Sequence, residues 1–138
     1  MKLTAIIVRL RAQVAAFSSR VGGSAELAAA EDNKELAVPH AFVYRLADAP
    51  EESQEVGART QAMTESFGVL VCVSNTADLR GAGADDTLDD IRDALLTALK
   101  GWSPEGAHQE FDYAGFETVE LTRARVWRRF DFTSLTSL

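Results

Sequence analysis

The sequence predicts an α+β fold, a single domain of helices packed on an antiparallel or mixed β-sheet, and three segments carry that expectation. Residues 85–100 set Leu88, Ile91, Leu95, Leu96 and Leu99 on one helical stripe. The run Val69-Leu70-Val71-Cys72-Val73 is apolar on both faces, as a strand in the middle of a sheet must be. Residues 122–133 alternate, with Ala124, Val126, Phe130 and Phe132 on one side and Arg123, Arg125, Trp127, Arg129 and Asp131 on the other. A chain of 138 residues suits one domain, 1–138, and at that length most of the surface of the unfolded chain can be buried.

The elements follow in order. Residues 4–17 bring Ile6, Ile7, Leu10, Val14 and Phe17 to one side of a helix, with Thr4 as its N-cap. Gly22-Gly23 ends that pattern, and Ser24 caps a short Ala-rich helix over 25–30 whose face is too small to bury much area. After Pro39, residues 41–46 are aromatic and β-branched and read as a strand. Residues 47–57 are acidic and nearly devoid of apolar side chains, which predicts an exposed loop. Residues 59–74 read as a long strand whose first half, 60–66, projects as one arm of a hairpin, so that 48–60 is an exposed loop or hairpin arm.

In the helix over 85–100, acids crowd the first turns and Lys100 lies near the end, both favourable to the helix dipole, with Gly101 on the C-cap side and Pro104 preventing continuation. Leu95 and Leu99 are its structural anchors, and Trp102 packs the helix end against the sheet. Two closing strands are expected over 110–121 and 122–133, with Tyr113-Ala114-Gly115 as a turn.

Composition narrows the function. Apolar residues at 46% and charged residues at 25% describe a folded protein, and a net charge of -7 gives no general attraction to nucleic acid or anionic membrane. Lys2, Arg9 and Arg11 interrupt the apolar positions of the first 17 residues, so neither a signal peptide nor a membrane span is expected, and the protein is expected to act in a reducing cytoplasm. Cys72, alone in its apolar run, reads as a buried small hydrophobe, and a single cysteine allows no internal disulfide.

Catalytic apparatus is not visible. Asp85, Asp86, Asp89, Asp90 and Asp93 match helix capping better than a cation site, because no D-x-D-x-D-G loop is present. His40 and His108 fall in no ligand pattern, and there is no G-x-S-x-G, phosphate loop or dinucleotide fingerprint, so no catalytic residue, metal or cofactor is assigned. Arg123, Arg125, Trp127 and Arg129, with Arg128 beside them, form the oddest feature. Arg and Trp are enriched at protein interfaces, which favours a protein contact over a solvated sheet face and over nucleic acid.

The order of these features resembles the tail terminator or tail completion proteins of long-tailed bacteriophages, in particular the small tail protein family of Mu-like prophages. The landmarks are the opening helix, the strand at 41–46, the run ending at Val73, the segment DDTLDDIRDALLTALKGWSP over 85–104, Phe111-Asp112-Tyr113-Ala114-Gly115, and the closing strand with Trp127 and Phe130. The resemblance implies a tail-terminator-like α+β domain without enzymatic activity, acting in the host bacterial cytoplasm during assembly and in the virion tail. Its partners would be itself in a hexameric ring, the tail tube protein and the head-tail connector protein, with no membrane and no specific nucleic acid. It also implies an interaction loop carrying Glu51, Glu52, Gln54, Glu55 and Arg59, and sets Arg123, Arg125, Trp127 and Arg129 at a subunit or tube contact. A neck or head-tail connector component is the alternative, with a nucleic-acid-binding module using Arg123, Arg125, Trp127 and Arg129 behind it.

Overall fold

The chain forms α1 (Leu3–Gln13), β1 (Val21–Gly22), α2 (Ser24–Ala30), β2 (His40–Pro50), β3 (Ala62–Ser74), α3 (Gly83–Leu99), β4 (Asp112–Leu121) and β5 (Arg125–Ser137). This computed structural model describes residues 1–30, 36–52, 61–75, 83–104 and 109–137. The sheet order is β1-β2-β3-β5-β4, with β1 parallel to β2 and every other neighbour antiparallel. It is the mixed sheet of an α+β fold, and its centre is the run predicted to lie there: every residue from Phe67 to Val73 on β3 is buried.

Alternation along the central strands divides the core. Val43, Phe67, Val69, Val71, Val126, Phe130 and Phe132 face α1 and α3, where they meet Ile6, Leu10, Leu88, Ile91, Leu95 and Leu99. The opposite face holds Phe42, Leu70, Cys72 and Trp127, covered by Ala30 and by Leu27, Leu36 and Val38. A single-sided strand would show period-two polarity; β3 lacks it because both faces are roofed.

Besides shifts of a few residues at the ends of α3 and β5, three features depart from the sequence expectation. The opening helix begins at Leu3 with Lys2 at its N-cap and no side-chain cap bond, so Thr4 is not the cap. It stops at Gln13 because Val14 turns extended, and a short 3-10 turn over Ala15–Phe17 then brings Phe17 to complete burial. The acidic stretch expected as loop from residue 47 is strand as far as Pro50, since β3 pairs with it from Ser66 to Met63. Backbone pairing across two neighbouring strands outweighs poor strand propensity here.

The third departure is at Tyr113-Ala114-Gly115, which is no turn. It lies inside β4 as an irregularity between Tyr113 and Gly115, and Gly115 has φ +106. That conformation suits a residue without Cβ, which is why a turn-like signal occurs within a strand.

Candidate interaction surface

Strand alternation puts Arg125, Trp127, Arg129 and Asp131 on the sheet face away from α1 and α3, as the sequence pattern implies. Their surroundings differ. Trp127 is only 9% exposed, its ring centroid 6.2 Å from that of Phe42. The Arg125 guanidinium donates to the Leu36 carbonyl at 2.9 Å. Arg123, in the bend between β4 and β5, is exposed.

Arg129 is held more firmly. Its Nε donates to Asp131 at 2.7 Å, and one terminal nitrogen reaches Glu117 at 3.1 Å. The Asp131 hydrogen bond pushes the guanidinium pKa further up, so Arg129 stays charged. The arm crosses Gly68, where an added Cβ would sit 2.7 Å from Cδ of Arg129. Replacing Gly68 by alanine is expected to dislodge Arg129 and cost about 1–3 kcal/mol. A denaturant-measured double-mutant cycle checks this: in an Arg129→Ala background the same Gly68 substitution is expected to cost far less.

Arg128 points the other way, toward α3. Its guanidinium donates to Asp85 at 2.7 Å and lies 4.5 Å from the Phe116 ring centre. Arg92 is 3.7 Å from Asp89 and 3.4 Å from Asp93. Three acids of the α3 cluster therefore have basic partners, and among the described residues no group of three or more His, Cys, Asp or Glu is arranged to hold a metal ion.

The far half of the β2–β3 hairpin is exposed on β2. Asp48, Ala49, Pro50, Glu51 and Glu52 lie open to solvent, and β3 residues Ala62 to Ser66 also pair with β5. The Glu51 amide donates to the Ala62 carbonyl at 2.8 Å, extending the pairing past the strand end. Gln54, Glu55 and Arg59 lie outside the described residues. At the base, buried Glu65 has the Met1 amino group at 3.5 Å and Arg45 at 4.0 Å.

At the end of α3, Leu95 and Leu99 are fully buried. Trp102 meets the Phe111 ring edge-on at 5.7 Å, and the Arg9 guanidinium lies 4.6 Å from the Trp102 ring centre. Pro104 is buried. Arg9 also donates to the Ala98 carbonyl, so the helix end and α1 share one cation.

The two groups most open to chemical interpretation sit in packed surroundings. Burial pushes the Cys72 thiol up to about 11, which disfavours the thiolate. His40 stacks on Phe42 at 4.6 Å, and burial holds its pKa below 6.5. His108 lies outside the described residues.

Sequence reading gave β4 no role, yet three large exposed apolar residues gather there: Phe116, Val119 and Leu121, exposed by 51%, 52% and 68%. Val119 falls at the second irregularity of the strand, between Thr118 and Glu120. That break in alternation explains why the segment did not read as a face. The available signal was an apolar content above what a solvated edge strand needs.

Comparison with known proteins gives one family. The family model described as phage tail terminator protein matches residues 1–137. No curated protein matches the chain.

Proposed function

Since the chain belongs to the phage tail terminator family, we propose that it assembles as a six-membered ring on the finished tail tube, stops further subunit addition and offers the surface joined to the head connector. The family places it among structural phage tail proteins, which interact with other tail proteins. The observation that carries the reading is the match along residues 1–137, over a sheet covered by α1 and α3 on one face and by α2 on the other.

The mechanism is steric and geometric. A heterologous contact closes into a ring when the rotation between subunits divides the circle, and a ring seated on the tube end covers the sites to which the next tube subunit would add. The exposed acidic end of the hairpin, with Glu51 and Glu52, supplies a contact for the tube or connector, and Arg123 supplies another. Assembly takes place in the host cytoplasm, and the protein then stays in the virion tail.

Light scattering coupled to size exclusion, with negative-stain imaging of the protein alone and mixed with tail tubes, tests this. Rings in solution or caps at one tube end are expected. A chain that stays monomeric and leaves tube growth unchanged overturns the proposal.

A further inference from the structure

We infer that the outer edge of β4 docks on the free β2 edge of a second copy of this chain, so that the sheet continues from one subunit to the next. The inference rests on the ring reading above and names the surface that closes it. β4 is the last strand of the sheet, and among the described residues its outer side has no strand partner. Phe116, Val119 and Leu121 are three of the five large apolar side chains exposed among the described residues, and all lie on this one strand. Exposed apolar area gathered on an edge strand marks an association site or an aggregation liability.

The other end of the sheet supplies a matching edge. β1 covers only Ala41 and Phe42 of β2, so β2 has no outer strand partner from Val43 to Pro50 among the described residues. Direction fits as well. β4 is antiparallel to β5, β5 to β3 and β3 to β2, so β4 and β2 of one sheet run oppositely. Copies related by rotation about an axis along the strands keep those directions, and β4 of one meets β2 of the next antiparallel. A contact of β4 with β4 would instead be two-fold and would close at a dimer.

Both edges carry exposed acids. Asp112, Glu117 and Glu120 are exposed on β4, with Glu110 exposed just before it, and Glu117 is already held by Arg129. At the other edge the free part of β2 carries Asp48 and leads to Glu51 and Glu52, while Arg45 is held by the Met1 carbonyl at 2.6 Å and by Asp48 at 3.5 Å. Irregularities between Tyr113 and Gly115, between Thr118 and Glu120, and on β2 between Arg45 and Ala47 keep both edges from being flat. Such edges resist pairing with an arbitrary strand.

The test is Val119→Lys/Leu121→Lys, studied by sedimentation and by imaging on tail tubes beside the wild type. Both positions are exposed, so the variant is expected to melt with the wild type while losing ring formation. Because its β2 edge remains intact, adding it to wild-type protein is expected to end growing arcs and deplete rings. Normal rings from the variant would overturn this contact and leave the ring reading standing. Wild-type protein that forms no ring, alone or on tubes, would remove the ring reading and this contact with it.

Discussion

Phe67→Ala is expected to lower the stability of the folded chain by about 3–5 kcal/mol, the range for emptying a buried aromatic site. Phe67 is fully buried on β3, with the Phe111 ring edge-on at 5.0 Å and the Phe132 ring stacked at 5.5 Å. Phe132 in turn packs against Tyr113 at 5.4 Å, so the rings tie β3, β5, β4 and the segment after α3 into one unit. Aromatic pairs add about 0.5–1.5 kcal/mol each beyond the area they bury. The cavity cannot be refilled from β3, whose neighbours along the strand are fixed by pairing on both sides.

A loss of that size is a large share of the roughly 5–15 kcal/mol that holds an ordinary domain together. Urea unfolding of Phe67→Ala beside Phe116→Ala provides the contrast, because Phe116 is half exposed and is expected to cost much less. Equal costs at the two positions would mean that the ring cluster is not the centre of the fold.

The sequence made the central strand and α3 legible for a physical reason. Leu88, Ile91, Leu95 and Leu99 repeat at helical spacing because only one side of α3 meets the sheet, and all four are buried. Val69 to Val73 are apolar without alternation because α1 and α3 cover one face and α2 with residues 36–38 cover the other. What could not be read were features set by distant pairing. The strand extends through Asp48 and Ala49 because β3, itself paired with β5 on its other side, continues beside it, information that local propensity does not contain.

The candidate interaction surface was legible only as a pattern. Alternation assigned Trp127 and Arg129 to one face, yet it carried no information about what covers that face, and Arg128, read as lying beside them, turns to the other side of the sheet. Residues 36–38 reach across the sheet to it, with the Leu36 carbonyl bound by Arg125, a contact between positions 89 residues apart. Conversely, the apolar edge on β4 escaped notice because its irregularities spoil the period of two on which strand faces are recognised.

Trp127→Ala provides the second large expected effect and separates packing from docking. The indole is 9% exposed and completes a cluster of five buried residues among those described, in which Phe42 is its aromatic neighbour and Ala30 brings in α2. Removing it from so small a cluster is expected to cost about 3–5 kcal/mol in the dilute, unassembled protein. The roof formed by α2 and residues 36–38 then loses its main anchor. His40, stacked on Phe42 and kept below 6.5 by burial, is expected to titrate closer to 6.5 in the variant, as NMR would record. The sign follows from linkage: a histidine depressed in the folded state favours folding above its unfolded pKa, and that contribution is lost as pH falls below 6.5. The variant is therefore expected to show less of this loss on acidification. If Trp127→Ala leaves unassembled stability and the His40 titration unchanged but prevents capping of tail tubes, the residue acts at an interface and the packing account of this face is wrong.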